Sequence, residues 1–218
     1  MSGRLARYLA GPASVRLRVP PPLDQELKVE ATGDEASLLD GDTLVAHARR
    51  IDFELVPPPA PTLADAETAS KSYPGFVRHL LPHCFVCGPR RAEGDGLRIF
   101  PGRTKDDGML AAPWVPDASL DDGAGRVATE FLWAALDCAG AFAVMPDADQ
   151  PIILGELCAR LNGNVAIGEP CIVTAWAIGV EGRKHFAGTA LYAATGVPIA
   201  VARATWIVIP ALPGGGAS

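Results

Sequence analysis

Residues 126 to 145 read RVATEFLWAALDCAGAFAVM, and the reading of this stretch decides the fold. It contains no proline, is rich in alanine and leucine, and is long enough for about five helical turns. Asp121, Asp122 and Gly123 stand ahead of it with capping carboxylates, and Pro146 and Asp147 follow as a stop. Apolar residues fall on nearly every side of the predicted helix, so it has no solvated face and must be enclosed by other structure. A sheet wrapped around it supplies that enclosure.

The flanking sequence supplies the strands. Behind the helix lie Ile152 to Leu161, Cys171 to Gly179, His185 to Ala194 and Ile199 to Ile209, broken at Gly168-Glu169-Pro170, Gly182-Arg183 and Thr195-Gly196. Ahead of it, Gly96 to Gly102 and Met109 to Val115 flank the turn Lys105-Asp106-Asp107-Gly108. Nearer the start, Ser14 to Val19, Glu26 to Thr32, Ala36 to Leu39 and Thr43 to Phe53 are separated by breaks of hairpin type. One long helix with a run of antiparallel strands defines the α+β class. Val56-Pro57-Pro58-Pro59-Ala60-Pro61 and the polar residues through Ser72 read as a stiff, extended connector. The expected organisation is an N-terminal β meander over 1–56, a linker over 57–72, the main domain over 73–210 and a disordered tail over 211–218.

A weak internal echo links the two parts. Val45-Ala46-His47-Ala48-Arg49 resembles Ile199-Ala200-Val201-Ala202-Arg203, and Val15-Arg16-Leu17 resembles Ala159-Arg160-Leu161. On one reading the N-terminal part repeats the last four strands and lacks the helix; on the other, two antiparallel meanders simply look alike at this level.

Composition narrows the function classes. Of 218 residues 49% are apolar and 20% charged, which suits a folded chain able to bury a core without disulfide or metal staples. Lys and Arg number 19 against 25 for Asp and Glu, a net charge of −6 with no basic stripe, so neither nucleic acid nor a membrane surface is an expected partner. Five cysteines, most of them in apolar runs, do not make a disulfide framework. No apolar run reaches the roughly 18 residues of a membrane span, and Met1 to Gly11 lacks a signal-peptide core, so the expected location is cytoplasmic. Neither nucleotide-binding glycine motif is present.

His83-Cys84-Phe85-Val86-Cys87-Gly88-Pro89, then Gly96-Leu97-Arg98-Ile99-Phe100, then a helix carrying Ala135-Leu136-Asp137 and a closing four-strand meander together resemble the hot-dog fold, in the acyl-CoA thioesterase-like branch related to phenylacetate-pathway thioesterases. The resemblance spans about Tyr73 to Pro210. It implies a long central helix wrapped by a curved antiparallel sheet and paired subunits, as a homodimer or higher homo-oligomer. It also implies an acyl-CoA or related thioester ligand, hydrolase activity and no cofactor. The N-terminal meander then becomes a helix-less half hot dog. In that branch the helix opens with His-Gly-Gly, where this chain has Ala128, Thr129 and Glu130; Asp137 falls on the branch's acidic position. With no histidine near the helix start, the superfamily's hydratase signature is missing.

Thioester hydrolysis needs a base or carboxylate nucleophile and donors for the oxyanion. The expected catalytic residues are Asp137, as base or nucleophile, and Glu130, assisting. Seven residues apart on one helix, they fall within about 20° of each other and roughly 10 Å apart along the axis. An ionised aspartate in so apolar a helix costs several kcal/mol unless paired or wetted, so it requires either a catalytic cleft or a partner such as Arg160 or Arg203. Glu130 also suits the helix dipole with no further role. Thr129, Trp133, Asn162 and Arg183 are the expected substrate contacts, against the plainer readings of Trp133 as core and of Asn162 and Arg183 as turn residues. His79, His83, Cys84 and Cys87 are metal-ligand types, yet their spacing is closer than that of usual zinc fingers. The resemblance implies instead that CFVCG is a loop leading into the first strand, and no metal ligand is assigned. Cys84 as a nucleophile is weaker still, since adjacency to His83 does not orient an imidazole onto it. The alternative function is a non-catalytic protein that binds acyl-CoA or another hydrophobic ligand.

Overall fold

The computed structural model describes residues 1–105, 108–145 and 150–210. Ten strands form one antiparallel sheet: β1 (Ala13–Leu17), β2 (Lys28–Thr32), β3 (Glu35–Asp40), β4 (Thr43–Arg50), β5 (Gly102–Arg103), β6 (Met109–Trp114), β7 (Ile152–Leu161), β8 (Cys171–Glu181), β9 (Lys184–Ala193) and β10 (Pro198–Val208). Their order in the sheet is β2-β3-β4-β1-β7-β10-β9-β8-β6-β5. Outward from the β1/β7 junction the sequence runs β1-β4-β3-β2 on one side and β7-β10-β9-β8 on the other. The strands carrying the sequence echo, β1 with β7 and β4 with β10, thus hold matching places in the two halves. The architecture is the hot-dog α+β fold, with a second, helix-poor half built by the N-terminal meander.

Alternation along the strands sorts the two faces. Val173 and Leu191 face the helices with Ala187, Ala204 and Trp206, in the main core that also holds Leu132, Ala135, Leu136 and Ala139. Ile172, Ala190 and Tyr192 face the opposite way.

The expected single helix is two. α3 (Thr129–Ala135) stops at Leu136, and α4 (Cys138–Val144) restarts after Asp137, whose φ of −88° and ψ of −85° are not helical. The break is stabilised from the sheet: the buried Thr189 hydroxyl donates to the Leu136 carbonyl at 2.8 Å, satisfying an acceptor at the interruption. At the far end His185 Nδ1 lies 2.8 Å from the Val144 carbonyl in the last turn of α4.

Two further helices were not expected. α1 (Ser2–Ala6) packs on α3, and there Gly3 is required: a Cβ on it would stand 2.6 Å from the Glu130 Cα and 2.8 Å from the Trp133 Cβ. The 57–72 segment is not simply an extended connector, because it contains α2 (Leu63–Ser70). Thr62 caps it, accepting from the Asp65 N–H at 3.1 Å, and Ala66 and Ala69 bury against Ala111, Ile172 and Tyr192 on the outer sheet face. The prolines before it lie outside any helix or strand, and the Tyr192 hydroxyl fixes them by donating to the Pro58 carbonyl at 2.6 Å.

The strand expected over Gly96 to Gly102 is also corrected. Only Gly102–Arg103 joins the sheet, paired with Ala111 and Leu110. Upstream the chain is irregular, held by the Leu97 and Ile99 N–H groups donating to the Phe85 and Val86 carbonyls at 2.8 and 2.9 Å. Asp106 and Asp107 of the expected turn, the helix stop at Pro146 and Asp147, and the tail 211–218 lie outside the described residues.

Candidate functional site

A cavity of about 560 Å³ opens beside α4. Leu110, Ala141, Phe142, Met145, Ile152 and Trp206 give it apolar walls; Arg78 and Arg103, both exposed, bring positive charge to it. The loop between α2 and β5 closes one side. Tyr73 is the anchor of that loop, fully buried, donating to the Cys87 carbonyl at 3.0 Å and stacked edge-on against Phe142 with ring centroids 4.9 Å apart.

Cys84, Cys87 and Cys138 all line this cavity. Their three sulfurs lie within 4.8 Å of one another, with Cys84 and Cys138 at 3.5 Å. His79 Nε2 is 3.3 Å from the Cys87 sulfur, while its Nδ1 accepts the Leu81 N–H at 2.9 Å. That acceptor role leaves the proton on Nε2 in the neutral ring, which makes His79 a donor to Cys87. The Cys138 and Cys87 thiols beside it, with the Cys87 and Val86 N–H groups, hold the Cys84 thiol well below the ordinary range against the opposing effect of burial. The same contacts with Cys84 and Cys87, with burial, push Cys138 well above it. Burial lowers His79. Against the Cys138 contact, which lowers it, the Cys84 contact and burial push Cys87 up to about 12, so the one thiolate this group favours is on Cys84.

Asp137 lies next to Cys138 at the helix break. Its side chain makes no capping hydrogen bond, and no arginine pairs with it among the described residues. Arg160, one of the partners considered for it, reaches the Phe53 carbonyl at 3.5 Å instead. Burial, then the nearby Cys84 sulfur, push the Asp137 carboxyl up to about 7, with the Met1 ammonium opposing.

The other residues singled out in the sequence are dispersed. Glu130 lines a second cavity of about 590 Å³ with Met1, Arg4, Tyr8, Leu27 and Val29, on the side of α3 covered by α1. The structure does not bring it to the cavity beside α4. Thr129 opens α3 and lines neither of these two cavities, and Trp133 is buried in the core beneath Gly3. Asn162 is exposed at the end of β7, and Arg183 is exposed in the β8–β9 turn; neither lines either of the two cavities. His83 is exposed and stands apart from the sulfur cluster, its carbonyl accepting from Arg91 Nε at 2.8 Å. Cys138 is the functional candidate that sequence reading missed. It lies 54 residues from Cys84 inside an apolar run, where a thiol reads as a small hydrophobe.

No family model matches the sequence, and neither does any curated protein. Solved structures do match. The tesB protein of Mycobacterium avium subs paratuberculosis superposes with a TM-score of 0.57 at 13% identity, covering 91% of this chain and 78% of that one. A mutant thioesterase of Pseudomonas aeruginosa gives 0.47 at 20% identity over 69% of this chain and 95% of that one. A hypothetical thioesterase of Streptococcus pneumoniae, solved with coenzyme A, gives 0.44 at 10% identity over 48% and 84%. The first match spans both halves of the sheet, and the chain has the hot-dog fold.

Proposed function

We propose that the protein hydrolyses an acyl thioester whose acyl chain enters the cavity beside α4. The observation that carries this reading is the cavity itself: a lining of apolar side chains, with Arg78 and Arg103 bringing positive charge to it. That division suits a ligand with a hydrocarbon end and an anionic end, as acyl-CoA has. The likeness in fold to the tesB protein over 91% of this chain supports the same reading by fold analogy. Asp137 is not itself in the cavity lining but precedes the lining residue Cys138 at the helix break, and this reading assigns it to activate water or attack the carbonyl. Glu130, on the α1 side, takes no part in this reading.

The test is thiol release from short, medium, long and aromatic acyl-CoAs, with wild type beside Asp137→Asn. Release that collapses in the variant, while its melting temperature holds, supports both the reaction and the residue. Release unchanged by the substitution keeps the hydrolase and removes Asp137. Thermal stabilisation by an acyl-CoA without any thiol release makes the protein a binding module instead.

A further inference from the structure

We propose that Cys84, Cys87 and Cys138 bind one zinc ion as thiolates, with the fourth coordination position facing the cavity beside α4. Two thiolates on a tetrahedral zinc, each about 2.3 Å from it, stand about 3.8 Å apart. The 3.5 Å between Cys84 and Cys138, and the 4.8 Å bound on all three sulfurs, need only small side-chain rotations to reach that spacing. All three cysteines line the cavity, which leaves the remaining position to face it.

The backbone around the first two cysteines is a tight turn. The turn closes with the Gly88 N–H donating to the Cys84 carbonyl at 2.9 Å. A Cβ on Gly88 would come within 2.5 Å of the Cys84 nitrogen, so the turn admits only glycine there. His79 contributes from behind, its Nε2 proton directed at the Cys87 sulfur at 3.3 Å. A hydrogen bond of that kind spreads the charge of a metal-bound thiolate, which makes His79 a positioning residue and not a ligand. Tyr73 holds the Cys87 carbonyl from the other side.

Three soft sulfur ligands select zinc over magnesium or calcium. Loading releases the thiol protons to solvent, up to three per ion, and leaves the sulfurs and the metal at their oxidation states. The open position would hold water or the sulfur of a thiol ligand. The inference does not rest on the thioester reading, because each measurement below is made without substrate.

The full chain, purified under reducing conditions without chelator, is assayed for metal and then titrated with Zn2+ and, separately, Co2+. Expected are one bound zinc per chain, sulfur-to-cobalt charge-transfer absorption together with the visible bands of a tetrahedral site, and zinc protection of Cys84, Cys87 and Cys138 from alkylation. Cys138→Ser should abolish the charge-transfer signature, and Cys171→Ser, buried elsewhere, should leave it intact. His79→Phe should weaken zinc by about tenfold to a hundredfold, with partial recovery in His79→Gln. Substoichiometric zinc after titration, alkylation of the three thiols unchanged by zinc, or a Cys84–Cys138 disulfide in protein kept reduced would each overturn the site. The wild-type measurements decide it even if a variant fails to fold.

Discussion

The Thr189 hydroxyl donates to the Leu136 carbonyl at 2.8 Å, and both groups are buried where α3 gives way to α4. This bond fixes the helix interruption, and so the position of Asp137 and Cys138, to the middle of β9. Thr189→Val keeps the shape and leaves the carbonyl without its partner. A loss of about 1–3 kcal/mol in urea unfolding is expected, with Thr189→Ser recovering most of it.

The junction between the two halves of the sheet carries a pH dependence. Glu156 accepts from the Ser14 hydroxyl at 2.6 Å and pairs with Arg16 at 3.3 Å across β1 and β7. Burial alone would raise its carboxyl, but the Ser14 hydrogen bond and the Arg16 charge outweigh it and hold the group below its ordinary value of 4.5. A carboxylate lowered in the folded state stabilises the fold above its unfolded pKa and loses that contribution as pH falls through the folded value. Thermal midpoints measured from pH 6 downward should therefore fall less steeply below 4.5 in Glu156→Gln than in wild type.

Gly3 sets how closely α1 approaches α3. Gly3→Val would drive a side chain into the Glu130 backbone. Detachment of α1 or a loss of about 1–3 kcal/mol is expected, read as faster proteolysis near the N-terminus together with a lower melting temperature.

Ala141 is the small residue in the α4 wall of the cavity. Ala141→Phe should fill part of it. In the acyl-CoA panel the KM for long chains should rise about tenfold or more, as several methylenes lose burial at ~0.8 kcal/mol each, while the shortest substrates change little.

The strands were legible because glycine and proline mark their ends. β7 begins and ends on the residues the sequence reading assigned, and β8, β9 and β10 differ from it by two residues or fewer at either end. The helix break was not legible. Leu136-Asp137 contains no breaker, and the interruption depends on Thr189, more than 50 residues later. α2 left a signal in Thr62-x-x-Asp65, a capping pattern that the neighbouring prolines obscured. α1, five residues long, cannot persist without α3 to pack on, so local pattern carried no trace of it. At the site, the C-x-x-C pair marked the loop that carries two of the three clustered sulfurs, though the sequence reading assigned no metal ligand there. His83 is exposed, and the third sulfur comes from a helix that reads as pure core.

The pairing of β1 with β7 sets a timetable for synthesis. Ala13 lies opposite Ala159, so the first strand leaves the ribosome long before its neighbour exists. Its other edge is served early, by β4, and the meander can assemble as local hairpins. The side destined for β7 stays open until residues 152–161 have emerged. A stalled or truncated product would present that bare edge to other chains.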